Sequence, residues 1–310
     1  MTSLDPSALT PPIPHEMAGF AGERSVGGVM AVGRPGKVGV LDVTLGAEDG
    51  RTGVVSRFVK APMQLTRPLY IDPSDPGEAF LYVRTTGGGL AQNDRVRQRV
   101  ALAPGARVTV TTQAGTPVHR MDAGMASQWV SLHVADGAVC EYLPGQTILF
   151  GGSRLLQTTD VDVAPGGTLL AAEVTLSGRL ARGERDVFDA LAQRLRVTRA
   201  GRPLLSDTLY VTGATARSEM LLARWPVWAT VLVVPPVPSA VPALLDEVRA
   251  VLPAVSDGLT AAASTMVADE GITVRVAGDD PVSVRALVGA VHGLAREHLL
   301  GRGAVDLRRM

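Results

Sequence analysis

The chain has 310 residues, enough for one large or two ordinary domains, and folding at this size needs neither disulfides nor a structural metal. Thirty basic residues balance thirty acidic ones, which excludes the basic surface that neutralises nucleic-acid phosphates. Cys140 is the one cysteine and sits in an apolar run, so no disulfide can form within the chain and a buried, inert thiol is expected.

Residues 1–36 are rich in Pro, Gly, Ser and Ala. Pro11-Pro12-Ile13-Pro14 favours extended polyproline geometry, and the segment reads as a poorly ordered extension. It lacks a basic start followed by an apolar core, and no run reaches the length of a membrane span, so the expected location is the cytoplasm. Residues 37–310 read as a single β-rich domain. From Val38 to about Val276 short runs of Val, Thr and Leu are interrupted by Gly, Pro or Asp, the signature of an all-β architecture.

Three turns resemble one another: Ala103-Pro104-Gly105-Ala106, Ala135-Asp136-Gly137-Ala138 and Ala164-Pro165-Gly166-Gly167, spaced 32 and 29 residues apart. Gly in each supplies a positive φ. Read as three hairpins at a period near thirty, they predict layered or solenoid-like sheets rather than a βαβ fold. The C-terminal third changes period. Leu244, Leu245, Val248 and Val251 predict a helix with Ser239 as its cap and Pro253 as its stop. A second helix is predicted over 281–300, capped by Asp280 and stopped by Gly301, with Val284, Leu287, Val288, Val291, Leu294 and Leu299 on its apolar face. Thr260–Val267 and Gly271–Val276 between them read as two strands.

Catalytic motifs are scarce. Gly87-Gly88-Gly89 lacks the Lys-Ser/Thr of a phosphate loop, there is no GxSxG elbow, and the five histidines form no HxH or HExxH pair. Asp160 and Asp162 share one strand face. With Glu173 they leave open a second reading, a β-helix or β-sandwich glycan-active hydrolase using paired carboxylates. The small aromatic content, 4%, counts against a sugar cleft. A purely structural or adhesive β protein is a third reading, disfavoured by the missing secretion signal.

Six segments, in order, resemble the UreD (UreH) family of urease accessory proteins. Arg67-Pro68-Leu69-Tyr70 looks like its Gln-Arg-Pro-Phe-Tyr segment, and Gly87-Gly88-Gly89-Leu90-Ala91-Gln92-Asn93-Asp94 its Gly-Gly-x-x-Gly-Gly-Asp. Thr111-Thr112-Gln113-Ala114 with His119-Arg120 follows Thr-Thr…Lys-x-Tyr-Arg. Glu141-Tyr142-Leu143-Pro144 with Ile148 and Phe150 resembles Glu-Trp-Leu-Pro-Gln-x-x-Ile-x-Phe. Gly178-Arg179 with Gly183-Glu184 matches Leu-Gly-Arg-x-x-x-Gly-Glu, and Arg202-Pro203-Leu204-Leu205 with Leu299-Leu300-Gly301 fits the family's order. The departures are Pro117 where Lys is usual, His119 before Arg120, Gly145-Gln146, and last residues Leu307-Arg308-Arg309-Met310 in place of Arg-Ile-Trp.

The resemblance implies a non-catalytic, mainly β scaffold. It would bind UreF, recruit the GTPase UreG through UreF, and dock on the urease apoprotein, with a dimer inside the complex an open option. Nickel(II) would pass through the protein in transit, and no cofactor would be held stably. An ion in transit needs oxygen or imidazole groups that bind weakly and in series, and a buried carboxylate is costly without a cation. Acids within apolar β segments are therefore the candidates: Asp94, Glu141, Glu173 and Glu184. Arg67, Arg120 and Arg179 are expected in structural or partner-binding roles.

Overall fold

The computed structural model of the protein describes residues 9–21, 36–222, 224–253 and 258–307. Its strands are β1 (Val38–Glu48), β2 (Arg51–Lys60), β3 (Met63–Leu65), β4 (Ala79–Thr85), β5 (Arg95–Leu102), β6 (Arg107–Thr112), β7 (Thr116–Val118), β8 (Ala126–Val134), β9 (Val139–Leu143), β10 (Thr147–Leu149), β11 (Arg154–Val163), β12 (Thr168–Leu176), β13 (Ala190–Arg199), β14 (Arg202–Val211), β15 (Val227–Val234), β16 (Leu259–Thr265) and β17 (Ile272–Gly278). Four helices accompany them: α1 (Ala18–Ala21), α2 (Gly213–Ala216), α3 (Val241–Val251) and α4 (Pro281–Leu300). Two sheets result, ordered β14-β13-β11-β8-β5-β1-β2 and β16-β17-β15-β12-β9-β6-β4-β3, with β7 and β10 at the side of the second. No helix of the described residues is long and apolar enough to cross a membrane.

The three repeated turns are not hairpins. Strand β5 pairs with β8 and β8 with β11, all parallel in the first sheet; β6, β9 and β12 pair in parallel in the second. Each turn therefore carries the chain from one sheet to the other as an arch, and successive arches stack, with Val139 N donating to Ala106 O at 2.9 Å and Thr168 N to Ala138 O at 2.9 Å. Glycine is required here. Gly166 has φ 79°, and a Cβ on it would lie 2.2 Å from the Asp136 Oδ1 of the arch below. The expected solenoid stands, built from arches because its sheets are parallel. Hairpins do occur where the sheets end, at β1–β2, β13–β14 and β16–β17.

Alternation sets the layers. Inward residues of both sheets, such as Val100, Leu132, Val161, Val108, Cys140 and Leu169, form the core between them. The outer face of the second sheet is also apolar and is covered by α3 and α4 through Leu244, Val248, Val284 and Val291. Strand β15 is covered on both sides, hence its uninterrupted run Val-Trp-Ala-Thr-Val-Leu-Val-Val. The outer face of the first sheet is polar, except where residues 9–21 cross it. There Met17, fully buried, packs on Met125, Leu156, Ala190 and Ala192, and Arg194 Nη1 donates to Pro12 O at 3.2 Å. Within the stretch expected to be poorly ordered, residues 9–21 are thus packed on the sheet; 1–8 and 22–35 lie outside the described residues.

Both predicted helices and the strand pair between them fall where their periodicity places them. Asp280 caps α4, accepting from Ser283 N at 2.9 Å, and Gly301 closes it with φ 65°. Ser239 does not cap α3: the helix follows directly on a 3-10 turn at Pro238–Ala240, and Ala240 holds the cap position without a side-chain bond.

Candidate functional site

The parallel coils align like residues in rows. Gln128 on β8 is in register with Gln157 on β11, and Gln157 with Gln193 on β13. All three share the inward parity of their strands, so amides line the interior where an apolar core would otherwise continue. Glu173 on β12 meets them from the second sheet. Its Oε1 accepts from Thr159 Oγ1 at 2.6 Å and its Oε2 from Gln193 Nε2 at 2.9 Å. Burial pushes the Glu173 carboxyl upward, against the hydrogen bonds from Thr159, Gln193 and Gln157. No cation pairs with it among the described residues.

Beside Glu173 lies a cavity of about 320 Å³. It runs from Gln98, Gln157 and Glu173 inside to the exposed Thr85, Gly88 and Ala114 at the surface. Loops frame its outer end. His119 Nε2 lies 3.2 Å from Gly88 O, and the imidazole stacks edge-on to Phe150 at 5.2 Å. Gly145 fits there because a Cβ would come within 2.5 Å of Ala114 O.

The other proposed acids lie elsewhere. Asp94 ties a loop, accepting from Lys37 N at 2.8 Å and Ala91 N at 2.9 Å. Glu184 receives Arg179 Nε at 3.0 Å and Gly151 N at 3.1 Å, and these bonds, Arg179's first, hold its carboxyl below the usual range. Arg179 lies over the Phe150 ring at 4.4 Å. Arg120 is exposed and reaches Asp122 at 3.5 Å; Arg67 is exposed with no ion pair among the described residues. Cys140 is fully buried, its thiol pushed up to about 12 by desolvation. Asp160 and Asp162 lie on the outer face of the first sheet, bound by Trp129 Nε1 at 2.7 Å and Thr198 Oγ1 at 2.8 Å. Glu173 faces the interior, so the carboxylates of the hydrolase reading do not meet in one cleft.

Glu141 lies on the outer face of the second sheet, within an ionic cluster that motif reading missed. Arg296 of α4 is 1% exposed and reaches Asp72 at 2.8 Å, Glu78 at 2.5 Å and Glu141 at 2.8 Å. His292, one turn earlier, lies 2.6 Å from Glu141, and Thr109 Oγ1 donates to Glu78 at 2.6 Å. Arg107 holds Asp75 at 2.6 Å, and Arg302 pairs with Asp75 from beyond the helix. Burial, then the Glu141 charge, raise the Glu78 carboxyl to about 7. Burial would raise Glu141 as well, but His292 and Arg296 outweigh it and hold Glu141 low. The sequence signal was present: His292 and Arg296, four apart, interrupt an apolar helix face, and Asp72, Asp75 and Glu78 recur every three residues.

Among the described residues no three His, Cys, Asp or Glu side chains gather as a metal site. Two stacked sheets enclose an apolar core with a polar lining beside Glu173, and helices α3 and α4 are pinned to one outer face: the fold is a β-solenoid. Residues 37–309 match the model of the UreD urease accessory protein family. Urease accessory protein UreD 2 of Streptomyces griseus is 40% identical over 291 residues, covering 92% of this chain and 98% of that protein. The UreD proteins of Haloarcula marismortui and Mycolicibacterium gilvum are each 33% identical, covering 90% and 87% of this chain and 93% and 97% of their own lengths. The chain belongs to the UreD family of urease accessory proteins.

Proposed function

We propose that the protein is a non-catalytic cytoplasmic scaffold that delivers nickel(II) to urease apoprotein, together with UreF and, through UreF, UreG. The observation that supports it is Glu173, a buried carboxylate with no cation beside it among the described residues, facing a cavity that reaches the surface. Burial favours the neutral form of the Glu173 carboxyl, and a passing divalent cation would favour release of its proton. The flanking amides of Gln157, Gln128 and Gln98 offer weak oxygen donors that do not trap the ion. Nickel is cargo here. Asp94, Glu141 and Glu184 each have the loop or ion-pair partners described above, so the proposal narrows the path to Glu173.

The test is urease activation by co-expressed partners with Glu173→Gln. The amide keeps the shape and can still accept from Thr159, so melting temperature and complex yield should stay within error while activation slows about tenfold. Unchanged activation in this variant would remove Glu173 from the path and leave only the scaffold role.

A further inference from the structure

Strand β2 ends the first sheet, and among the described residues β1 alone pairs with it. Its ten residues contain no proline, and Val55, Phe58 and Val59 are 70%, 48% and 37% exposed. A long edge with unpaired main-chain groups and exposed apolar side chains is a template for another strand. Opposite it the second sheet ends on β3, which among the described residues pairs with β4 alone. The two sheet ends border a cleft of about 530 Å³ lined by Arg57, Val59, Gln64, Leu65, Thr66 and Arg84. Two cations and no acid face it. Strand β2 itself carries Arg51, Arg57 and Lys60 and no carboxylate.

Several cations on other strands are engaged: Arg99 with Asp42, Arg107 with Asp75, Arg97 with Ser131 and the Trp129 ring. Arg57, Lys60 and Arg84 make no side-chain hydrogen bond or ion pair among the described residues. We propose that this edge takes an extended acidic segment of another protein as an added strand. The guest's main chain would bond the free edge of β2. Its acidic side chains would meet Arg57 and Arg84 on the cleft side, and its apolar ones, on the opposite face of the added strand, Phe58. A second copy of this chain fits poorly, because antiparallel β2–β2 pairing would set cations opposite cations. The inference is independent of the nickel path.

The full chain is titrated, by fluorescence anisotropy, into a labelled peptide of about ten residues alternating Glu and Val, a strand's length. Controls are a Lys–Val peptide and the Glu–Val peptide N-methylated at alternate residues in either register. The Glu–Val peptide should bind, with the Lys–Val and N-methylated forms at least about tenfold weaker and with affinity falling as salt rises. The Arg57→Glu/Arg84→Glu variant should lose the binding while its circular dichroism and melting temperature stay unchanged. Absence of Glu–Val binding, equal binding by Lys–Val, or binding that survives in the double variant would overturn the proposal; the cations then only guard the edge. A stable dimer of the free chain, broken by Phe58→Asp, would make the occupant a second copy and overturn it equally.

Discussion

Replacing Arg296 by Met keeps the length of a side chain that is 1% exposed and removes the cation holding Asp72, Glu78 and Glu141 together. Two of the three acids keep other support: Asp72 accepts from Ser74 Oγ at 2.6 Å, and Glu141 retains His292. Glu78 keeps Thr109, with Arg302 at 4.0 Å, and is left the most exposed to the loss. Removing one partner of a buried ion pair costs about 3–5 kcal/mol, because the remaining charge is neither hydrated nor paired. At about 2 °C per kcal/mol for a chain of this size, the melting temperature should fall by about 6–10 °C at pH 8. The deficit should shrink at pH 5.5. Glu78 takes up a proton at about 7 even with Arg296 present, and without it the acids accept protons more readily still. Thermal melts of wild type and variant at both pH values measure this, with Arg296→Lys expected in between, since a point charge cannot span three acids. A melting temperature within about 2 °C of wild type at pH 8, or the same deficit at both pH values, would refute the account of the cluster.

Three further outcomes follow from the same contacts. Because the Glu78 carboxyl is raised from 4.5 to about 7, the folded state binds its proton more tightly, and stability is lost as pH rises through that window, by at most about 3 kcal/mol. Glu78→Gln lacks this fall, so it should melt above wild type at pH 8 and show a flatter trend from pH 5 to 8; parallel trends would contradict it. Gly178→Ala places a Cβ 2.2 Å from the Glu184 carbonyl oxygen, a backbone atom that cannot step aside, and should cost about 2–3 kcal/mol in urea unfolding. Met17→Ala should release residues 9–21 from the first sheet, seen as cleavage there about tenfold faster under limited proteolysis with the global melt little changed.

Local chemistry made much of the architecture readable. The stop at Gly301, the cap at Asp280 and the apolar face of α4 depend on residues within a few positions of one another, and all three are as expected. The three similar turns revealed a repeat for the same reason, but not which strand pairs with which. Strands β5 and β6 look alike whether they fold back on each other or into separate sheets, and that choice is made by neighbours about thirty residues away. Ser239 misled because it lies inside the 3-10 turn that leads into the helix. Site residues were harder still. Asp94, Glu141, Glu173 and Glu184 are all acids in apolar surroundings, yet only Glu173 faces the cavity, because strand parity and register decide which side of a sheet a carboxylate occupies. The Arg296 cluster joins residues more than two hundred positions apart and left only a faint trace in composition.

Stacked arches turn the interior into something that can be counted. Each coil adds one rung to both sheets, and neighbouring strands are about 4.8 Å apart. Gln128, Gln157 and Gln193 are one chemical group sampled on successive rungs. The amide lining is therefore set by the number of coils, separately from its cross-section, which the inward side chains determine. Inserting one whole coil at an arch would lengthen that lining by a single rung while leaving the strand parity, and so the inside and outside of every other coil, unchanged.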